Sequence, residues 1–395
     1  MTIIYFSFWN ANDGLTVSTI KPYLEALNKS TKYKRIIFVN VERLNNKVPE
    51  YLLTLDKVEY TPVISLPTDV NIFTKFFELN KIKKQLFSII KKTQPDVLFC
   101  KGVIAGSYGY MVKKRFKKFK LYIDSFEPHA EYMAEAKVWS RKGIKYLLQN
   151  YWEKQQLKYA DHIFPLTYKF QELIIKKGVE KTNTSVIPCC VNLNQFSFNK
   201  QDRIDFRKKL NLNEISKVGI YVGKFGDIYY GEEAFEIFKA IEQKIEHFFL
   251  IILTPDNIKE VEQKLKKAGI PDASFVVRFV PNPEVPLYLS ASDFAISVIR
   301  PTYARQFCSP VKHAEYFANG LPLLLPESVS DDSDIVEELD AGFVFNFENL
   351  DEKIKQLNQY LITNTNNRNL NAYKIASNYR NINKGIETFG KIVLE

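Results

Sequence analysis

The sequence has few cysteines and histidines. Of its 395 residues, only four are Cys and four are His. Cys100, Cys189, Cys190 and Cys308 do not have the paired spacing of a zinc site, and a disulfide between adjacent cysteines such as Cys189 and Cys190 is rare. We therefore predict free, buried thiols, with neither a zinc site nor a disulfide framework.

The sequence also lacks segments of the kind that direct a chain to or through a membrane. The opening MTIIYFSFWN has no basic start, apolar core or small-residue cleavage site of a signal peptide. No uncharged apolar run reaches the ~20 residues that cross a bilayer. We therefore expect a cytoplasmic location. Hydrophobic residues make up 46% of the chain, which is enough for two domains with full cores.

Positive charge is concentrated in the first half of the chain. The net charge is +10, and residues 1–190 hold 31 Lys and Arg against 17 Asp and Glu. Much of the excess lies in KIKKQLFSIIKK (81–92) and KKRFKKFK (113–120), whose spacing is most typical of a solvated helix face. A second interpretation is contact with an anionic membrane surface. Its apolar contacts would be Leu86, Ile89, Phe116 and Phe119. Nucleic-acid binding is disfavoured, because no recognition module accompanies the charge.

Short β-branched and aromatic runs alternate with helical patterns in both halves. The predicted strands are IIYFSF, RIIFVN, VLFC, KLYID and HIFPL, followed by VGIYVG, FFLIIL, SFVVRFV, FAISVI, LPLLL and GFVF. Helices of the second half are predicted at 231–246, 256–268, 284–291, 310–318, 332–339 and 350–362. This alternation predicts an α/β fold with two doubly wound parallel sheets. We place the N-terminal domain at 1–190, completed by a C-terminal helix over 380–395, and the second domain at 195–378.

Three loops of the second half follow predicted strands, where open parallel sheets bind ligands. The first is Gly223-Lys224-Phe225-Gly226, the second begins at Val280-Pro281, and the third spans 300–309. The glycines would let the backbone approach a phosphate, and Lys224 would neutralise it. Each loop alone is ordinary, but together with Glu315 they predict one common ligand site.

The stretch SPVKHAEYFANGLPLLLP (309–326) predicts a short helix that leads into a buried strand. Ser309 is a favourable N-cap, and Asn319-Gly320 ends the helix. Glu315 falls at the edge of the core-facing side, one turn after Lys312. One interpretation is an exposed ion pair. The other is a ligand site, in which the helix N-terminus and Lys312 attract an anion while Glu315 accepts two hydroxyls, as a nucleoside diphosphate would require.

The sequence resembles the retaining glycosyltransferases of family 4, which have the GT-B fold of two Rossmann-like domains facing a cleft. The resemblance spans nearly the whole chain. Its most specific parts are Ser309, Pro310, Lys312, Glu315, Tyr316, Asn319, Gly320 and Pro322, the Gly223-Lys224 loop and the segment from Val280 to Asp293. It implies transfer of a sugar from a nucleotide-diphosphate sugar to a saccharide or lipid-linked acceptor with retention, in cell-surface polysaccharide or glycolipid synthesis.

The resemblance also implies a role for each site residue. Glu315 would bind the donor ribose, Lys312 the diphosphate, and the backbone of Val280 the base. Lys224 would bind the diphosphate and stabilise it as it leaves. The other donor-side residues are Gly223, Arg300, Arg305, Cys308 and Ser309. In the first domain, Glu127 and His129 would position the sugar and the acceptor. Asp124 and the Asn12-Asp13-Gly14 loop would lie on the acceptor side.

Three positions depart from the family pattern. Phe307 stands where the family often has a glutamate that contacts the donor sugar, which leaves that contact to the main chain, Arg305 or Gln306. Tyr230 stands where a lysine usually precedes the glycine of the next helix, which places more weight on Lys224 and Arg300. The acceptor loop, which is glycine-rich in the family, is reduced to Asn12-Asp13-Gly14.

Neither a metal ion nor a bound cofactor is implied. The run Asp331-Asp332-Ser333-Asp334 is interpreted as the cap of a helix at 335–339 and not as a set of metal ligands. Two alternatives remain open at this point. One is another GT-B enzyme, such as a nucleotide-sugar epimerase or an inverting transferase. The other is a non-catalytic protein that binds sugar nucleotides or polyanions.

Overall fold

The chain divides into two units of mutually contacting residues. The computed structural model describes residues 1–8, 10–12, 14–43, 48–65, 72–125, 127–364 and 368–395. Unit 1 consists of Met1–Ala134, Val138–Pro188 and Gly385–Glu395. Unit 2 consists of Glu135–Lys137 and Cys189–Lys384.

Unit 1 is built on a parallel sheet of six strands within the described residues. The strands are β1 (Thr2–Ser7), β2 (Arg35–Glu42), β3 (Val58–Ile64), β4 (Val97–Lys101), β5 (Lys120–Ser125) and β6 (His162–Pro165). Their order across the sheet is β3-β2-β1-β4-β5-β6, the doubly wound order of a Rossmann domain. The helices are α1 (Gly14–Thr19), α2 (Lys21–Lys29), α3 (Ile72–Thr93), α4 (Val103–Arg115), α5 (His129–Glu135), α6 (Ile144–Tyr159) and α7 (Tyr168–Lys176).

Unit 2 repeats this architecture. Its strands are β7 (Lys217–Val222), β8 (Phe248–Leu253), β9 (Phe275–Arg278), β10 (Phe294–Ile296), β11 (Leu323–Pro326) and β12 (Gly342–Phe345). They lie in the order β12-β11-β10-β7-β8-β9, again all parallel. The helices are α8 (Lys200–Lys209), α9 (Glu232–Lys244), α10 (Ile258–Lys267), α11 (Val285–Ala291), α12 (Val311–Ala318), α13 (Asp332–Glu338), α14 (Leu350–Thr363) and α15 (Leu370–Asn378). The last helix, α16 (Ile382–Val393), begins in unit 2 and belongs to unit 1 from Gly385 onward.

The strands of unit 2 are apolar at successive positions because both faces of the sheet are covered. In β8, Leu250 and Ile252 belong to the core cluster on one face, and Ile251 between them belongs to the cluster on the other. All three side chains are fully buried. This arrangement leaves the loops at the carboxyl ends of the strands as the place for polar residues.

The prediction of two doubly wound parallel sheets is confirmed. Each predicted strand is present, and the six predicted helices of the second half match α9 to α14 within two residues. The sequence analysis missed β3, a strand at the edge of its sheet that includes Pro62. Proline is tolerated at such an edge, where one side of the strand needs no hydrogen-bond donor.

The apolar residues of the two basic runs lie in or against the core of unit 1, so their predicted place at a membrane surface is wrong. Leu86 and Phe119 are buried, and Ile89 and Phe116 pack against the same cluster. The run 113–120 is not one helix face, because α4 ends at Arg115 and β5 begins at Lys120. The apolar spacing of both runs therefore reflects core packing.

None of the four cysteines, all of which lie within the described residues, forms a disulfide. Cys100, Cys190 and Cys308 are buried, whereas Cys189 is partly exposed. Across the described part of the chain, no helix combines the length and the apolar character needed to cross a membrane.

Candidate functional site

Helix α12 places two oppositely charged side chains inside unit 2. The helix begins at Val311 with Pro310 at the N-cap, one residue later than predicted. Glu315 is only 8% exposed, which rules out the exposed ion pair. The Nζ atom of Lys312 is buried and has no hydrogen-bond partner among the described residues. A buried ammonium without an acceptor is costly, so this position is suited to an anionic ligand.

Burial shifts the pKa values of both groups in the direction that favours their uncharged forms. Burial lowers the pKa of Lys312 to about 7, and the charge of Glu315 opposes this shift. Burial raises the pKa of Glu315 to about 7, while the charge of Lys312 and a hydrogen bond from Asn282 oppose the change. A ligand that brings a negative charge to Lys312 would therefore favour its charged form.

Two tyrosines and a glycine surround the Lys312 ammonium. Its Nζ atom lies 4.2 Å from the centre of the Tyr229 ring and 5.1 Å from that of Tyr221, which are cation–π distances. A Cβ atom at Gly223, whose φ is +151°, would lie 2.2 Å from Nζ. The loop after β7 therefore lies close to the Lys312 ammonium, and the positive φ at position 223 favours glycine there.

Hydrogen bonds to neighbouring elements hold the loop after β7. The hydroxyl of Tyr316 in α12 accepts a hydrogen bond from the backbone N–H of Val222 at 2.8 Å. The backbone N–H of Phe225 donates to Asp256 Oδ2 at 2.8 Å. Lys224 lies between these two anchor points and is exposed. The loop thus carries an exposed cation directly after Gly223, the residue that lies against the Lys312 ammonium.

The loop after β9 reaches the same carboxylate. Val280 precedes a short 3-10 helix, Asn282–Glu284. The side chain of Asn282 hydrogen-bonds to Glu315, and its Oδ1 atom accepts a bond of 3.1 Å from Gln195 Nε2. The predicted base-binding backbone and the predicted ribose ligand are therefore neighbours. The sequence analysis assigned no role to Asn282 or to the aromatic Phe279, which is 66% exposed.

Arg300 lies beside the tyrosine that replaces the lysine of the family. Its Nη2 atom lies 3.1 Å from Glu233 Oε1, and its guanidinium lies 5.5 Å from the centre of the Tyr230 ring. A β-bridge between Tyr229 and Ile299 joins the loop before α9 to the segment after β10. The segment after β10 thus places a cation beside Tyr230, and Glu233 is its ion-pair partner.

Two other predicted donor-side residues pack within the loop that precedes α12. Arg305 is buried, and its carbonyl accepts a hydrogen bond from the Ser330 N–H at 3.0 Å. Cys308 packs in an apolar cluster with Ile299 and Val329. Both residues shape the loop through buried contacts.

A buried polar network fixes the start of α12. Arg380 donates hydrogen bonds to Ser309 Oγ and, at 2.8 Å, to Asp332 Oδ2. The same Asp332 oxygen lies 2.8 Å from Nδ1 of His313, whose Nε2 atom lies 2.8 Å from Ser297 Oγ. The run 331–334 lies at the start of α13, as predicted, with Asp331 at the N-cap. The Asp332 carboxylate is in addition the buried counterion of Arg380. Ser309 belongs to the same network.

Asp124 of unit 1 is in a buried ion pair at the end of its strand. Lys101 at the end of β4 donates to Asp124 Oδ2, and the two residues are directly paired in the sheet. Burial raises the pKa of Asp124, and the charge of Lys101 opposes the shift. The other carboxylate oxygen, Oδ1, is buried and has no hydrogen-bond partner among the described residues. The sequence analysis missed Lys101.

Glu127 and His129 flank Pro128 at the start of α5. The His129 ring lies 5.8 Å from the Tyr132 ring in a stacked arrangement and 5.6 Å from Trp139 in an edge arrangement. Both Glu127 and His129 are partly exposed. The histidine ring is thus oriented by aromatic neighbours while one part of it stays accessible.

A small cavity lies next to this segment within unit 1. It measures about 40 Å³, and Ser125, Glu127 and Glu153 are among its lining residues. Glu153 Oε1 accepts the backbone N–H of Ala130 at 2.9 Å. Burial raises the pKa of Glu153 to about 7, and the negative charge of Glu127 adds to the shift. The sequence offered no signal for Glu153.

Of the predicted acceptor loop, Asp13 lies outside the described residues. Asn12 is exposed, and Gly14 is the first residue of α1. The loop is held by Glu42 at the end of β2, which accepts hydrogen bonds from the Ala11 N–H at 2.8 Å and from the Tyr60 hydroxyl at 2.9 Å. Glu42 is a further residue that the sequence analysis missed.

The described residues contain no group of three or more His, Cys, Asp or Glu arranged to bind a metal ion. The charged groups described above in unit 2 are instead the cations Lys312, Lys224 and Arg300 and the carboxylates Glu315 and Glu233. Such a set is suited to a phosphate-bearing ligand with vicinal hydroxyls.

Solved structures with the same architecture were found by comparison. Sucrose-phosphate synthase from Thermosynechococcus elongatus is 16% identical with a TM-score of 0.73, over 99% of this chain and 98% of that chain. The lipopolysaccharide outer core galactosyltransferase WaaB, in its apo form, is 14% identical with a TM-score of 0.70, over 99% and 98%. HepE from Anabaena in complex with UDP-glucose is 14% identical with a TM-score of 0.69, over 99% and 98%. At these identities the likeness establishes the GT-B fold.

The sequence comparison identifies the chemistry. No curated protein sequence matches the chain significantly. Residues 202–377, which make up most of unit 2, match the family described as "Glycosyl transferases group 1". The protein is therefore an enzyme, a glycosyltransferase of GT-B type. Its second unit is a group 1 glycosyltransferase domain, as the resemblance in the sequence predicts.

Proposed function

We propose that this glycosyltransferase transfers a sugar from a nucleotide-diphosphate sugar to a saccharide or lipid-linked acceptor, with retention of anomeric configuration. The observation that carries the proposal is the buried Lys312 ammonium, which has no hydrogen-bond partner among the described residues and lies one turn from the buried Glu315. A diphosphate supplies the anion, and the adjoining ribose supplies two hydroxyl donors for the carboxylate.

The donor would lie across the carboxyl ends of β7, β9 and β10. Glu315 holds the ribose, and the backbone of Val280 contacts the base. Lys312 and Lys224 hold the diphosphate. HepE was solved with UDP-glucose, and a donor of this class has the groups that these residues would bind.

During transfer, negative charge grows on the diphosphate as its bond to the sugar breaks. Lys312 and Lys224 stabilise this charge, and the N-terminus of α12 contributes further backbone N–H groups. His129 and Glu127 of unit 1 orient the sugar and the acceptor hydroxyl. We assign no nucleophile, because a retaining transfer of this kind depends on stabilising the leaving group and the oxocarbenium-like sugar.

We also propose that the reaction needs no metal ion and takes place in the cytoplasm or at the inner face of the membrane, in polysaccharide or glycolipid synthesis. The cationic side chains around the donor site carry out the charge neutralisation that a metal performs in other transferases. The likeness to WaaB, a lipopolysaccharide galactosyltransferase, favours an acceptor of the glycolipid class.

The test is donor turnover with a panel of nucleotide-diphosphate sugars, with and without EDTA. We expect one donor to be hydrolysed slowly without acceptor, with EDTA having no effect, and NMR to show that the released sugar keeps the donor's anomeric configuration. Glu315→Gln provides the control for site-dependent turnover. An inverted product would identify an inverting transferase, and an epimerised donor would identify an epimerase. Nucleotide binding without any turnover across the panel would favour a non-catalytic role and contradict the proposal.

A further inference from the structure

Two glutamines of helix α6 face the protein, whereas four of its large apolar side chains are exposed. Gln149 and Gln156 are buried. Gln156 Nε2 donates hydrogen bonds of 2.9 Å to the Val103 carbonyl and to Ser107 Oγ of α4. A Cβ atom at Gly106 would lie 2.4 Å from Gln156 Oε1, so α4 leaves room for this amide. Polar contacts thus anchor α6, and its outer side chains are not needed for that attachment.

The outer face of α6 carries a row of large apolar side chains. Ile144 is 59% exposed, Leu147 is 55%, Leu148 is 38% and Tyr151 is 48%. We call these four residues the α6 stripe. Their spacing of i, i+3, i+4 and i+7 places them on one side of the helix, over a length of about 10 Å. A continuous exposed apolar stripe indicates an interaction surface, whereas single exposed leucines do not.

The charged side chains in the segment that carries the α6 stripe are basic. Residues 138–152 contain three basic residues and no Asp or Glu. The basic residues are Arg141, Lys142 and Lys145, all exposed. Arg141 pairs with Glu131 at 3.0 Å, and within the described ranges neither Lys142 nor Lys145 forms an ion pair. The apolar stripe therefore has a cationic rim.

We propose that the α6 stripe docks the protein on an anionic lipid bilayer. Leu147 and Leu148 would enter the boundary between headgroups and acyl chains with Ile144, Tyr151 would remain at headgroup level, and the lysines would face the lipid phosphates. A second copy of the chain is a poorer occupant, because a two-fold contact through this stripe would bring the two cationic rims together. The inference rests on the membrane location in the proposed function and names the surface that would provide it, while docking itself requires no turnover.

The test is co-sedimentation of the full-length protein with vesicles of phosphatidylcholine, with and without phosphatidylglycerol. We expect binding to the anionic vesicles only, and weaker binding as salt increases. Leu147→Ser with Leu148→Ser should weaken binding by about 100-fold or more, because two apolar side chains no longer enter the lipid. Lys142→Gln with Lys145→Gln should weaken it by about 10-fold or more.

Two matched variants separate this surface from general effects. Leu53→Ser with Leu370→Ser removes two leucines that are 74% and 72% exposed elsewhere. Lys91→Gln with Lys92→Gln removes two exposed lysines at the end of α3. Both controls should bind as the wild type does. Thermal melting and donor hydrolysis should be unchanged in all four variants, so a failure of docking is distinct from a failure of the proposed function.

Three outcomes would overturn the docking proposal. The first is equal binding to neutral and anionic vesicles, or no binding to either. The second is equal loss of binding in the leucine control variant. The third is a dimer that Leu147→Ser with Leu148→Ser converts to a monomer, which would identify the stripe as a contact between copies of the chain.

Discussion

Lys312 and Glu315 lie one turn apart in α12, and burial moves the pKa of the lysine down and that of the glutamate up until both are about 7. In water these groups would be fully charged at that pH. Inside unit 2 their charge depends on what binds there, which makes the pair a reporter of ligand binding.

The first prediction is that nucleoside diphosphate affinity is greatest near pH 7. Above this pH, Lys312 loses its proton in the free protein and must regain it to face the diphosphate, so affinity falls as pH rises. Below it, Glu315 gains a proton that must leave before the ribose hydroxyls are bound, so affinity falls as pH decreases. Each limb falls by up to about tenfold per pH unit.

Calorimetry with UDP in buffers of different ionisation enthalpy measures this linkage. We expect proton uptake at about pH 8 and proton release at about pH 6. Lys312→Gln should remove the uptake alone, and Glu315→Gln the release alone. Binding without proton exchange at both pH values would contradict the assignment of the pair to the donor site.

The second prediction concerns the strength of the ribose contact. Glu315→Gln should keep the fold, because the amide is nearly isosteric and removes a buried titratable group. It should weaken nucleotide binding by roughly 1.5–3 kcal/mol, the range for hydrogen bonds to a charged group. Calorimetry near pH 7 measures the change. Glu337→Gln, at an exposed position of α13, is the control. An unchanged affinity would show that Glu315 does not bind the ribose.

The third prediction concerns Lys224, which is exposed, whereas Lys312 is buried. Lys224 is exposed on its loop and faces charge that develops as the diphosphate leaves. Lys224→Ala should therefore lower kcat more than it raises the donor KM. Lys259→Ala, at an exposed position in α10, should change neither. A pure KM effect at Lys224 would show that this residue only binds the ground state.

The fourth prediction concerns His129. His129→Phe retains an aromatic ring against Tyr132 and Trp139 but removes the ring nitrogens. It should preserve UDP affinity and thermal stability and reduce transfer by about 100-fold or more. Glu127→Gln should behave similarly, and the double variant should cost less than the sum of the two if they act together. Near wild-type transfer by His129→Phe would assign the histidine to packing, and the acceptor contacts would then be sought around Asn12 and Gly14.

The fifth prediction concerns the buried network at the start of α12. Arg380→Met would leave the Asp332 carboxylate buried without its guanidinium. We expect a loss of about 3–5 kcal/mol in the free energy of unfolding, measured by urea titration. Arg35→Met breaks an exposed ion pair with Glu59 and should cost less than about 1 kcal/mol. Equal small losses in both variants would show that the network contributes little.

The sequence alone determined the elements of the fold, because hydrophobic periodicity and end signals are local. The run FFLIIL predicts a strand covered on both faces, and Asn319-Gly320 ends α12 at the predicted place. The spacing of Lys312 and Glu315 also predicted a shared position on one helix. Strand β3 was missed because an edge strand with Pro62 carries a weaker pattern.

Tertiary structure decided which of these residues are buried and what they contact. Only the packing of α12 against the loops after β7 and β9 makes Lys312 an ammonium between Tyr221 and Tyr229 and brings Asn282 to Glu315. The partners of Asp332 and Asp124 likewise come from distant positions, Arg380 and Lys101. In unit 1, packing between distant segments likewise buried Leu86 and Phe119 and left the α6 stripe exposed. Local patterns show that a helix has an apolar side, whereas which surface covers that side depends on contacts between segments far apart in the chain.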